Sequence, residues 1–183
     1  MKSNATYVGA WLMAAALTLV MAAHSPHDTL VMGRMPAFMT QTLMQQPVAV
    51  PGGLPADRTL AVITFERSQR PAADSWVEGL GLRHNPSIAW VRMPVIADPG
   101  SETGRQAFEA RLRQHYVADA ERARLVPVFT DRAHFVRAAG LGGTEKAHVV
   151  VVNRDGEVLA RASGPFDADK AQNLRETLQG HSL

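Results

Sequence analysis

The residues of this chain best suited to chemistry are a polar run, Arg67-Ser68-Gln69-Arg70, and Trp76 shortly after it. Guanidinium and indole groups dominate binding hot spots, and a planar guanidinium meets a carboxylate through two parallel hydrogen bonds. That set can hold a partner, but it supplies no nucleophile. With no Cys in 183 residues, thiolate catalysis, disulfides, iron–sulfur clusters and Cys-based zinc sites are all excluded. Ser68, Ser75 and Ser163 have no His close by in sequence, and the G-x-S-x-G turn of serine hydrolases is missing. Gly140-Leu141-Gly142-Gly143 follows a helical pattern instead of preceding one, so it reads as a helix stop and not as a phosphate loop.

Imidazole and thioether groups raise a second chemistry. His24, His27, Met32 and Met35, with Met39 and Met44 beyond them, join ligand types that suit Cu(I). Cleavage after Ala23 would add the freed amine of His24. The spacing is loose, and the same residues fit a tail in which Met and His occur by composition. Copper handling is therefore the alternative reading, and no cofactor is expected. His84, His115, His134 and His148 are dispersed; His148, inside an apolar run, is expected as a hydrogen-bonded core or edge residue.

The formal charge is +2 with a pI of about 9.4. The arginines are spread along the chain, which argues against a nucleic-acid patch or a polybasic membrane tail. An apolar fraction of 46% allows a sizeable core in one domain. Lys2 precedes an uncharged run, Val8–Ala23, that closes on small residues, the layout of a signal peptide. An uncleaved anchor is the rival, since a membrane helix takes roughly 20 apolar residues. Either way the remainder is expected across a membrane, in the periplasm or anchored to the inner membrane and facing it. The expected division is 1–23 as signal or anchor, 24–46 as a flexible spacer with one short helix near Phe38–Met44, and 47–183 as the domain.

The elements that must position these groups alternate. Strands are expected at Val48–Val50 (an edge), Thr59–Phe65 (central, apolar on both faces), Ser87–Ile96, Leu125–Thr130, Ala147–Val152 and Glu157–Ala162. Helices are expected at Ala72–Leu80 with Pro71 at its start, at Glu102–Glu121 with a Phe108, Leu112, Tyr116 stripe, after Asp131, and after Asp167. Arg105–Glu109 and Glu109–Arg113 are the expected ion pairs of the long helix. Asn153-Arg154-Asp155-Gly156 signals a hairpin. The order gives an α/β sheet, parallel through its first three strands and antiparallel at its last hairpin.

TLAVITFERSQRPAADSW at Thr59–Trp76 and the closing VVVVNRDGEVLARASG together resemble the thioredoxin-like superfamily, in its peroxiredoxin and thiol–disulfide reductase form. The likeness covers Leu54 to Leu178. It implies a three-layer α/β sandwich, with a mixed central sheet, a terminal antiparallel hairpin and flanking helices. A narrower likeness rests on LPADRTLAVITFERSQRPAADSW, VRMPVI and the hairpin ending in GPFDADKAQNL. These are similar to Cys-less envelope proteins of bacteria and to mitochondrial assembly factors for the membrane sector of ATP synthase. Redox members carry Cys-x-x-Cys after a strand ending in Phe; counted from Phe65, those places hold Arg70-Pro71-Ala72-Ala73. Their cis-Pro corresponds to Ala147 after Lys146, where a trans peptide is expected. The resemblance thus implies the scaffold without its redox chemistry. The expectation is a non-catalytic exported protein that binds a protein partner through Arg67, Ser68, Gln69, Arg70 and Trp76 and assists assembly of a membrane complex. An enzyme with cysteine-independent chemistry is the second alternative. No nucleic-acid partner is expected, and membrane contact only through an uncleaved N-terminal segment.

Overall fold

The computed structural model describes residues 32–180. The Val8–Ala23 run, His24 and His27 lie outside them. The central sheet has five strands: β3 (Arg58–Thr64), β4 (Trp90–Ala97), β5 (Val128–Thr130), β6 (His148–Asn153) and β7 (Val158–Ser163). Their order is β5-β4-β3-β6-β7, with β3–β4 and β4–β5 parallel and β3–β6 and β6–β7 antiparallel. The strand TLAVI of β3 is central, as its two apolar faces require: Leu60, Ala61, Val62 and Ile63 are all 0–1% exposed. Burying a Leu, Val or Ile side chain contributes roughly 1.5–3 kcal/mol, so this strand anchors the sheet.

Alternation along β3 sends side chains to two separate cores. On one face Leu60 and Val62 pack with Trp76 and Val77 of α1 (Arg70–Gly79) and with Ala171 and Leu174 of α5 (Ala168–Leu178). On the other, Ala61 and Ile63 meet Phe135 and the α4 helix (Arg132–Ala138). A smaller cluster joins Ile96 and Leu125 to Leu112 of α2 (Glu102–His115). Three of the helix starts carry side-chain caps. Ser101 Oγ accepts from Gly104 N–H, Asp131 from His134 N–H, and Asp167 from Asp169 and Lys170 N–H.

The segment read as a spacer is packed from Met32 onward. Phe38–Gln41 is a strand, β1, paired antiparallel with β2 (Pro47–Val50), and not a short helix. Met35 and Leu43 are buried, and backbone bonds tie Met35 to Gly156 and Leu43 to Leu125. Both anchors are contacts with distant elements, which leave no local period to read. Gly33 and Gly140 allow the crossing over the end of α4: a Cβ on Gly140 would lie 1.9 Å from the Met32 carbonyl oxygen, and its φ is +65°.

The long helix is also shorter than expected. It ends at His115, Tyr116 is extended (φ −94°, ψ 96°), and a separate α3 spans Asp119–Ala123. The Arg122 guanidinium donates to the carbonyls of Tyr116 (2.7 Å) and Arg113 (3.1 Å), satisfying groups that the broken helix leaves open. Glu109 pairs with Arg113 as expected (2.9 Å), while Arg105 turns to Asp98 (2.8 Å).

Candidate functional site

The site begins where β3 stops. Phe65 is buried, Glu66 is extended, and Arg67–Gln69 form one 3-10 turn leading into α1, with Pro71 in its first turn. Gln69 holds this corner together. Its Oε1 accepts from Phe65 N–H (2.8 Å) and its Nε2 donates to the Thr144 carbonyl (2.6 Å). At 7% exposure Gln69 is therefore a structural residue and not part of a surface. Trp76 is likewise removed from the expected patch. It is 0% exposed, donates its indole N–H to the Gly164 carbonyl (2.8 Å) and packs edge-on against Phe166 at 5.2 Å. Arg67 and Ser68 are exposed and Arg70 is half-buried, so these three remain at the surface.

Beside them lies a cleft of about 570 Å³ between the start of α1, β4 and α2. Arg67, Arg70, Arg92, Arg111 and Arg132 line it, and among the described residues Glu66 is its only carboxylate. Val62, Pro94, Ile96, Phe108, Leu112 and Leu125 supply an apolar lining. Among the described residues, no carboxylate lies within 4.0 Å of Arg67, Arg70, Arg111 or Arg132. Two of these guanidiniums rest on rings instead: Arg70 over Tyr116 at 5.8 Å and Arg111 over Phe108 at 5.6 Å.

Arg92 differs from the others. It points from the middle of β4 with its side chain 4% exposed, which would be costly without counter-charge. Its Nη2 donates to Asp74 at 2.6 Å, and its Nε lies 3.3 Å from Glu121, charge-matched without an aligned hydrogen bond. Its guanidinium also sits 5.5 Å from the Tyr116 ring. Glu121 spends its other oxygen on Arg83 (2.7 Å). The charge of Arg92 is thus answered on the far wall, while Arg70 and Arg111 leave the cleft cationic. His115, at the rim, is held below the usual imidazole range by desolvation and then by the charges of Arg70, Arg67 and Arg92. Burial pushes the Tyr116 phenol above its ordinary value. A low dielectric wall with unpaired guanidiniums can bind anions.

Arg92, Arg111 and Arg132 were not singled out from sequence, because they lie on separate elements, and Tyr116 was read only as part of a helix's buried stripe. One signal was present: Arg92 interrupts an otherwise apolar strand, WVRMPVI. Of the copper candidates His24, His27, Met32 and Met35, only Met32 and Met35 fall within the described residues. Met35 is a core residue at 2% exposure, and Met32 binds β7 through its backbone. His148 is buried at 4% exposure and its Nε2 lies 2.9 Å from the Gly143 carbonyl oxygen, as a structural histidine. No group of three or more His, Asp or Glu side chains that could hold a metal ion occurs among the described residues. The Lys146–Ala147 peptide is trans. No described helix is long and apolar enough to cross a membrane.

No protein-family model matches this chain, and no curated protein matches it. Solved structures do. A protein of Aquifex aeolicus VF5 with a proposed electron-transfer role superposes with a TM-score of 0.58 at 11% identity, over 82% of this chain and 99% of that one. A member of the Sco family of cytochrome c oxidase assembly proteins gives 0.53 at 13% identity, over 81% and 93%. The exposed lipoprotein thioredoxin of Streptococcus pneumoniae strain TIGR4 gives 0.51 at 10% identity, over 79% and 99%. With the mixed sheet and its flanking helices already in view, these likenesses establish that the chain has a thioredoxin-like fold.

Proposed function

We propose that this protein is a non-catalytic, exported thioredoxin-like domain that holds a protein partner at the arginine-lined cleft and assists assembly of a membrane complex. One observation carries the reading. At the corner where redox members of the fold keep their thiols, this chain has Arg70 and Ala73, and a cleft with unpaired guanidiniums opens beside it. Thiol–disulfide exchange is closed to a chain without a thiol, whereas rigid arginines at the end of a central strand favour recognition. Export is supported by the Val8–Ala23 run. The assembly role is supported only by the narrower likeness in sequence.

Capture from detergent-solubilised membranes tests the proposal. The Arg67→Ala, Arg70→Ala double variant should melt nearly normally, since surface substitutions without ion-pair partners shift stability by about 0.5 kcal/mol or less. Partner recovery should fall about tenfold if about 1.4 kcal/mol of contact energy is lost. A double variant that melts normally and captures every partner as well as the parent would remove this corner from the function.

A further inference from the structure

Resting on the partner-binding reading, we infer that the cleft receives an acidic peptide segment in which carboxylates alternate with apolar side chains. The inference comes from how charge and apolar surface are distributed. Arg67 and Arg70 stand at the start of α1, Arg111 on α2 and Arg132 on α4, so the unpaired charges occupy three elements around one opening. The Nε of Arg132 is buried without a hydrogen-bond partner, and the 97%-buried Arg92 contributes a further guanidinium to the wall. A ligand with a single anionic head would answer one of these groups. A chain carrying several carboxylates can answer them together, each through the two-point contact that guanidinium and carboxylate share. Between them, the half-buried Pro94 and Phe108 offer apolar surface that an intervening Leu or Phe side chain would cover.

The same details argue against other anions. The backbone N–H groups of Phe65 and Glu66, which a phosphate would seek, are already taken by Gln69 Oε1 at 2.8 and 3.4 Å. The Tyr116 and Phe108 rings already carry the guanidiniums of Arg70, Arg92 and Arg111, so they are poor platforms for stacking bases.

The probe is a fluorescein-labelled hexapeptide, Glu-Leu-Asp-Phe-Glu-Leu, titrated by anisotropy against the folded chain at two salt concentrations. Its Gln/Asn counterpart, sodium decanoate, inorganic phosphate and a labelled single-stranded oligonucleotide run beside it. The expected result is salt-sensitive peptide binding that weakens at least tenfold in Arg111→Gln, Arg132→Gln and stays unchanged in Arg154→Gln, at the opposite end of the sheet. Arg111→Gln alone, exposed and free of ion pairs, should weaken binding severalfold and covers the case in which the double variant folds poorly. Equal affinity for the Gln/Asn peptide, or binding untouched by both variants, would overturn the ligand class. So would tighter binding of decanoate, phosphate or the oligonucleotide. None of those failures touches the partner reading, which stands or falls on capture by the Arg67, Arg70 variant.

Discussion

Trp76→Ala separates a core role from a surface role at the residue type most often found in hot spots. In the structure Trp76 is 0% exposed, contacts Phe166 edge-on at 5.2 Å, and spends its N–H on the Gly164 carbonyl. Truncation removes the indole from a filled core and leaves that carbonyl without its donor. Trp-to-Ala changes in such sites cost about 3–5 kcal/mol, a large share of the roughly 5–15 kcal/mol that holds a domain folded. At about 2–4 °C per kcal/mol for a chain of this size, the midpoint should drop by roughly 6–20 °C. Trp76→Phe keeps most of the packing and loses chiefly the hydrogen bond, so about 1–3 kcal/mol is expected. Thermal unfolding followed by circular dichroism reads both, with partner capture measured well below the midpoint. Capture should survive in the folded fraction. A Trp76→Ala protein that melts with the parent yet fails to capture would refute the placement of this side chain in the core.

Two further outcomes follow from the charges. Glu121→Gln removes one of the two carboxylates facing the buried Arg92 and also the partner of Arg83; with Asp74 still at 2.6 Å the pair is weakened and not broken, so a loss of about 1–3 kcal/mol is expected, read by chemical denaturation. An unchanged midpoint would mean that Asp74 alone neutralises Arg92. The second outcome concerns pH: desolvation holds His148 below the usual range, partly opposed by its bond to Gly143. The unfolded chain therefore takes up a proton near pH 6.5 that the folded chain resists, so stability should fall as pH drops below about 6.5 and be flat above it. His115 shifts in the same direction and adds to the slope. Asp131 and Asp167, held low by backbone donors at helix starts, lose their contribution only below about pH 4. Melting from pH 8 to 5 should show a shallower fall in His148→Gln; identical slopes would exclude His148 as the source.

Local signals located most of the fold. The apolar run before Phe65 gave a central strand, Asp131 and Asp167 gave helix starts, and Asn153–Gly156 gave the hairpin, with Gly156 at φ +85°. Each is decided by a few neighbouring residues. The N-terminal strand was missed because Met35 and Leu43 are fixed by partners more than eighty residues away. The break at Tyr116 was missed because the carbonyls it frees are answered by Arg122, which sequence periodicity had placed in or beside the same helix. The site was half visible. Arg67 and Arg70 stand in one run, but Arg92, Arg111 and Arg132 join them only through two crossovers and a helix on the sheet's far side. A spread of basic residues in sequence has become one cationic opening in space.

Site-specific photo-crosslinking tests the central claim most directly. Benzoylphenylalanine in place of Ser68 lies between Arg67 and Arg70 without removing either. The same group in place of Arg154 sits beyond the start of β3, roughly 20 Å away by strand length. If the cleft holds the partner, irradiation of intact cells should give a discrete adduct from position 68, lost when Arg70→Ala is added, and none from position 154. An adduct from position 154 alone, or one at position 68 indifferent to Arg70, would contradict it.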